Sequence, residues 1–284
     1  MDTILEPLAY EFFVRALVAS ALVGVVCAVV GTYMVLRGLA FMGDALSHAA
    51  FPGVVAAYLL HGPFYVGAAI AAVATSLAIG WVGRRGGLRN DTVIGVLFAG
   101  MFSLGIFMFS RIPNYVGDLF GFLFGEVLGI GIGDLIGLAI LGAIVLATVA
   151  LLWKELLYST FDPLGAAASG LPVARLDYVF LALIALTIVV SLQAVGIVLV
   201  VAMLVTPAAT AQLLTIRFNR LVGLASLIGL LAPIVGLYLS YWLDAASGAT
   251  IVLVETAVFL VALLLGPRTG LLRTRPGRNP AGVP

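Results

Sequence analysis

The sequence predicts an all-α polytopic membrane protein of about nine transmembrane helices, with its N-terminus outside and its C-terminus inside. Three observations carry this. Of 284 residues, 63% are hydrophobic and only 10% are charged, where a soluble domain is roughly 25% charged. Mean hydropathy is +1.23. So few charges cannot cover a water-soluble core of this size, so the solvent for most side chains is lipid. Apolar runs of spanning length recur along the chain, and the basic residues between them fall almost entirely on one side.

A crossing needs about 20 mostly apolar residues. The candidates lie near 14–36, 39–60, 64–83, 92–110, 135–153, 178–194, 197–216, 221–243 and 249–266. The stretch 178–216 is too long for one crossing, and Gly196 is the natural turn within it. Segment 1–11 carries Asp2, Glu6 and Glu11 where a secretory signal carries positive charge, so the first span is expected to be retained. Residues 12–266 form a single transmembrane domain. The Arg-, Gly- and Pro-rich tail 267–284 is expected to be cytoplasmic and disordered.

Basic residues near span ends favour the cytoplasm. With nine spans, Arg37, Arg84, Arg85, Arg89, Lys154, Arg175, Arg217, Arg220, Arg268, Arg273, Arg275 and Arg278 share one side, and only Arg15 and Arg111 lie opposite. Adding or removing one span scatters this set. Net charge of +1 says nothing about nucleic acid, but no basic cluster is interleaved with aromatics, so no nucleic-acid partner is expected.

Two connections are more than turns. The outer segment 111–134 contains the apolar stretch Asp118–Glu126, too short to cross, and reads as an interfacial or re-entrant helix. In the inner segment 155–177, Asp162-Pro163 is a helix-start signal, and Gly170 with Pro172 is a stop signal. They bound a short helix on the cytoplasmic surface, with Gly165 and Leu171 inside those limits.

Three ionisable residues fall inside spans: Asp44, His48 and Glu255. Such residues are costly in lipid and face a protein interior or a water-filled path. Asp44 and His48 share one helical face, about 6 Å apart along the axis. Counted from Arg37, His48 lies about 16 Å deep, near the middle of a core about 30 Å thick. Carboxylate and neutral imidazole suit manganese, iron or zinc; a proton relay and a plain structural pair use the same two groups. Two side chains cannot complete a metal's shell, which suits a site that must release its ion. Ser47 neighbours the pair but points elsewhere on the helix. Pro52, one turn further, frees a backbone carbonyl near the site and bends the helix. Glu255 has no motif around it and reads as a carboxylate paired with a neighbouring helix. His61, before Gly62-Pro63, reads as a loop residue. Cys27, the single cysteine, reads as a small core residue. Trp81, Trp153 and Trp242 sit at span ends as interface aromatics.

Lys154 is the only lysine and is followed by Glu155. A phosphate-binding loop needs Gly-Lys followed by Ser or Thr. If nucleotide powers the protein, another chain binds it, and this chain is not itself an enzyme.

Four stretches together resemble the membrane permeases of ABC importers for zinc, manganese and iron. They are Leu36-Arg37-Gly38 through Gly43-Asp44-Ala45-Leu46-Ser47-His48 to Pro52-Gly53, Asp118 through Gly125, Phe161-Asp162-Pro163 through Gly170-Leu171-Pro172, and Ser191-Leu192-Gln193 through Thr206-Pro207 to Ala211. They are collinear across roughly residues 12–266. The resemblance implies a type II importer-like fold in a bacterial or archaeal cytoplasmic membrane. It implies a homodimer, two ATP-binding cassette subunits inside, an extracytoplasmic metal-binding protein outside, and no permanently bound cofactor. It makes Asp44 and His48 transient metal contacts. It makes the helix bounded by Asp162, Pro163, Gly165, Gly170, Leu171 and Pro172 the coupling element for the ATPase. Gln193, Thr206 and Pro207 belong to its pathway geometry; Glu255 is not part of its pattern.

Rival readings are a permease of the same build for a chelate or vitamin, an ion-coupled secondary transporter, and an intramembrane metalloprotease. A bulky solute has no need of a midplane Asp-His pair. Secondary transporters often repeat their discontinuous helices in both halves, and the Asp44–His48 element has no second-half counterpart. The sequence contains no His-Glu-x-x-His. The expected function is therefore ATP-driven import of a divalent transition metal by alternating access.

Overall fold

The centre of the bundle is its first long apolar run. In the computed structural model, which describes residues 6–112 and 127–266, Glu11–Leu36 forms α1, and its neighbours include the helices over Ile132–Leu151, Val173–Val195, Ile197–Leu214 and Phe218–Leu243. Small residues let these backbones close in. A Cβ added at Gly24 would sit 1.8 Å from the carbonyl oxygen of Gly229, so glycine at both positions fixes the crossing. The helix ends in a Schellman turn: Gly38 adopts φ 69°, Leu39 N–H donates to Met34 O at 2.9 Å, and Gly38 N–H donates to Val35 O at 3.1 Å.

The second span crosses in two pieces, α2 (Met42–Ala49) and α3 (Phe51–Leu59). Pro52 has no N–H for the carbonyl of His48. Instead, the N–H groups of Gly53 and Val54 both reach Ala50 O, at 3.0 and 3.2 Å. Continuing in order, α4 is Phe64–Gly86, α5 Asn90–Phe109, α6 Ile132–Leu151, α7 Trp153–Phe161, α8 Pro163–Ala168 and α9 Val173–Val195. The last three are α10 (Ile197–Leu214), α11 (Phe218–Leu243) and α12 (Ser247–Leu265). Eight of the described helices are individually long and apolar enough to cross a membrane; α2 and α3 together supply the ninth crossing. The turn expected at Gly196 is there, with φ 78° and ψ 168°, a region open essentially only to glycine.

The sidedness predicted from the basic residues appears as contact. Asp177 takes Arg37 Nη1 at 2.9 Å and Arg84 Nη2 at 3.2 Å, which joins the predicted inner ends of the first, third and sixth spans. At the other end of α1, Phe13 packs edge-on against Tyr238 and Tyr241 of α11. Two boundaries differ from expectation. The inner segment 155–177 is not one surface stretch: α7 occupies its start after a bend at Leu152, and α9 begins at Val173 rather than near 178. Arg175 and Asp177 are polar yet helical because they lie in the first turns, where Asp177 meets its arginines. The predicted outer helix over Asp118–Glu126, the N-terminal 1–5 and the tail 267–284 lie outside the described residues. Next to the first of these, Val127–Gly129 forms a 3₁₀ turn on α1 and α12.

Candidate metal-transport site

Helix α2 sorts its residues by face. Met42, Gly43, Leu46, Ser47 and Ala49 are buried against the bundle. Asp44 and His48 occupy the other face, with side chains 51% and 27% exposed, beside the exposed Phe41. His48 Nδ1 lies 2.9 Å from the backbone oxygen of Asp44 and 3.4 Å from its Oδ1. A carbonyl oxygen only accepts, so the ring nitrogen facing it carries hydrogen, and the neutral imidazole keeps its lone pair on Nε2. The pair therefore presents one carboxylate and one imidazole nitrogen on the same face. Among the described residues no group of three or more His, Cys, Asp or Glu side chains is placed to hold a metal ion. Within one chain the arrangement is a two-donor site, fit to contact an ion rather than enclose it.

Aromatic rings hold the imidazole. Phe98 and Phe102 of α5 meet it edge-on, with centroids at 5.4 and 5.3 Å, and stack on each other at 6.1 Å. Phe102 also touches Phe51 at the break between α2 and α3. A Cβ at Gly105 would lie 2.5 Å from the Phe51 ring and 3.0 Å from Pro52 N, so α5 lies tight against the break. Sequence reasoning missed Phe98 and Phe102. They sit in an evenly apolar span whose pattern does not distinguish one face from another, and only their spacing of four was visible.

The remaining predicted residues scatter. Ser47 turns inward and donates to Gly43 O at 2.9 Å, away from the Asp44–His48 face. Pro52 stands in the first turn of α3. Thr206 and Pro207 lie on α10, which reaches α2 where Leu204 faces Gly43; Thr210 Oγ1 donates to Thr206 O at 2.7 Å. Gln193 is in α9, its side chain outside the described residues. Glu255 is wholly buried, and among the described residues neither carboxylate oxygen has a hydrogen-bond partner; the predicted pairing with a neighbouring helix is not seen. Of the two helices packed along α12, α10 has no charged residue, and the one charge in α11 is Arg220 in its first turn. His61 is a turn residue with φ 54°, and Cys27 is buried, 3.5 Å from Ser191 Oγ.

At the inner end, Asp162 caps α8 by accepting Gly165 N–H at 2.8 Å, with Pro163 in the first turn. Gly165 has no room for a side chain: a Cβ would lie 2.2 Å from Asp162 Oδ2. Gly170 closes the helix at φ 84°, and Leu171 N–H returns to Ala166 O at 3.1 Å. Leu164 is 83% exposed and Phe161 63%, so two large apolar side chains stand on the predicted cytoplasmic surface.

Among the described residues, eight long apolar helices and one crossing broken beside an Asp-His pair define a multi-pass membrane protein. The chain belongs to the ABC 3 transport family, which matches residues 9–266. It is 46% identical over 263 residues to the manganese transport system membrane protein MntC of Listeria monocytogenes, covering 93% of this chain and 94% of that one. It is 44% identical over 281 residues to the manganese transport system membrane protein MntB of Synechocystis, covering 98% and 92%. It is 41% identical over 275 residues to the chelated iron transport system membrane protein YfeC of Yersinia pestis, covering 97% and 93%. Among solved structures, PsaBC from Streptococcus pneumoniae in complex with Fab superposes with a TM-score of 0.84 at 34% identity, covering 95% of this chain and 98% of that one. An inward-facing putative metal-chelate type ABC transporter shares the fold at a TM-score of 0.73 and 14% identity, covering 93% and 90%. The chain is thus a metal ABC transporter permease of the bacterial cytoplasmic membrane.

Proposed function

We propose that this chain is the membrane-spanning subunit of an ATP-driven importer for a divalent transition metal, and that Asp44 and His48 contact the ion in transit. The observation that carries this reading is the half-exposed Asp44 carboxylate beside a histidine whose Nδ1 is committed to the backbone. A carboxylate at this depth cannot face lipid. It therefore faces a second copy of the chain or a water-filled path, and two such pairs complete more of a shell than one. Ser47, Pro52, Gln193, Thr206 and Pro207 shape the path rather than ligate. The capped helix from Asp162 to Pro172 docks on the ATP-binding subunit, and a separate metal-binding protein delivers the ion at the outer face. ATP binding in the partner moves α8, and the site opens to each side in turn. In domain terms, 12–266 is the permease, 1–11 its outer extension and 267–284 its cytoplasmic tail.

The test is manganese uptake into proteoliposomes holding the whole importer. Asp44→Ala and His48→Ala are each expected to lower uptake at least tenfold; normal uptake by both removes the site assignment. Manganese is the first metal to try because the 44–46% identical relatives carry it in their names. Competition by free zinc, ferrous iron and an iron chelate separates a metal permease from a chelate permease.

A further inference from the structure

We propose that Arg37 is a positioning residue that ties the docking segment to the helix bearing Asp44 and His48. Its side chain is 11% exposed and spends three donors on two elements. Nε donates to Thr160 Oγ1, Nη2 to Ser159 Oγ and Nη1 to Asp177 Oδ1, each at 2.9 Å. The guanidinium also lies 4.5 Å over the ring of Phe180. Ser159 and Thr160 are in the last turn of α7, directly before Asp162 and α8. Asp177 and Phe180 are in the first turns of α9, directly after Pro172. One guanidinium therefore holds both ends of the surface element that carries α8.

The two hydroxyls are set to accept. Thr160 Oγ1 donates to Leu156 O at 2.6 Å and Ser159 Oγ donates to the same oxygen at 3.2 Å, so their lone pairs are left for the arginine. Burial pulls the Arg37 pKa down while Asp177 pulls it back up; the guanidinium keeps its charge in any case. A planar fork with three acceptors fixes direction as well as distance, which a lysine cannot reproduce.

On the other side, Arg37 is the residue at which α1 stops. After it come the Gly38 turn, three more residues and the start of α2 at Met42. That helix is only eight residues long and is detached from α3 at Ala50. A shift of the α7–α8–α9 element therefore acts through Arg37 on the turn that sets the start of α2. A cleft of about 470 Å³ borders the joint, lined by Arg37, Arg84, Ser159, Thr160, Pro163 and Asp177 among others, so the element has room to move. This inference rests on the docking reading of α8 given above.

The experiment uses the complete importer in proteoliposomes and reads manganese uptake and ATP hydrolysis separately. Arg37→Gln is expected to lower the ratio of ions moved per ATP at least tenfold, and Arg37→Lys to restore only part of it. Ser159→Ala/Thr160→Val, which keeps the charge and the Asp177 pair, is expected to lower the ratio at least threefold, and adding Arg37→Gln to it should give no more than Arg37→Gln alone. This double variant decides the matter if Arg37→Gln does not assemble. A ratio within twofold of wild type overturns the proposal. Co-purification of the ATPase with a chain lacking 163–171 tests the docking reading independently: retained binding refutes docking, whatever the Arg37 ratio.

Discussion

Gly53→Ala is expected to open the joint between α3 and α4 and to destabilise the broken span. A Cβ at Gly53 would lie 2.0 Å from Gly67 O and 2.6 Å from the Cβ of Ala71; a Cβ at Gly67 would lie 2.1 Å from Gly53 O and 2.8 Å from the Cβ of Ala57. The two helices thus present matching small-xxx-small faces, Gly53/Ala57 against Gly67/Ala71. The obstructing atoms are backbone or alanine Cβ, none of which can rotate away, so the axes must part by about 1.5 Å to regain ordinary contact. Overpacking of this kind costs about 1–3 kcal/mol, while replacing glycine within a helix by alanine returns about 1 kcal/mol. Gly137 in α6 isolates the second effect, because a Cβ there meets nothing within 4 Å. The comparison of Gly53→Ala with Gly137→Ala cancels the helix-propensity gain. Each kcal/mol shifts a midpoint by about 2–4 °C, so Gly53→Ala is expected to melt about 2–12 °C below Gly137→Ala in detergent. Equal midpoints, or a higher one for Gly53→Ala, would refute the close packing inferred here.

Pro52→Ala returns an N–H to the carbonyl of His48 and joins α2 to α3. Thermal stability should hold or rise, since a first-turn proline costs little, while manganese uptake falls severalfold; wild-type uptake would show the break to be dispensable. Asp162→Ala removes the cap on Gly165 N–H and costs about 0.5–2 kcal/mol locally, so the ATPase should co-purify more weakly, with Asp162→Asn near wild type; equal recovery from all three argues against a cap-dependent docking helix. Cys27, buried in α1, should resist a membrane-permeant maleimide in the folded chain and react after denaturation; rapid labelling of the native protein would contradict its burial.

What the sequence made legible follows the physics of lipid. Span count and sidedness depend on hydropathy and on Arg and Lys, both local properties, and the Arg37–Asp177–Arg84 contact brings three of the predicted inner ends together. Asp162-Pro163 and Gly196 were readable because caps and positive φ depend on a residue and its nearest neighbours. Pairings across the fold were not readable. Arg37 and its partners are more than 120 residues apart, and nothing local distinguishes this arginine from Arg85. The small-xxx-small steps at Gly53 and Gly67 stand in the sequence, but not the fact that they face each other. Pro52 announced a bend; the separation into two helices also reflects Gly105, which lets α5 press on Phe51 and Pro52. Glu255 marks the opposite limit. Its cost in lipid was evident, yet the expected partner is missing among the described residues, because whether a buried carboxylate is paired depends on the fold.

The break at Ala50 bears on how the two proposed metal contacts, Asp44 and His48, can serve opposite sides of a membrane. In a continuous helix of spanning length, Asp44 and His48 could change their surroundings only if some 20 residues moved together. Here they ride on an eight-residue helix bounded by a glycine turn on one side and a proline-dependent break on the other. The imidazole leans on the faces of α5 through edge contacts with Phe98 and Phe102, worth about 0.5–1.5 kcal/mol each in aromatic pairs. Among the described residues its one acidic neighbour is the partly exposed Asp44, at 3.4 Å. Contacts of that size hold the ring in place and still yield to a few kcal/mol of differential binding, which is the scale on which a ligand shifts an equilibrium between two conformations. On the proposed reading of Asp44 and His48 as transit contacts, the two-donor site and the shortness of its helix serve the same requirement: an ion that binds on one side must be released on the other.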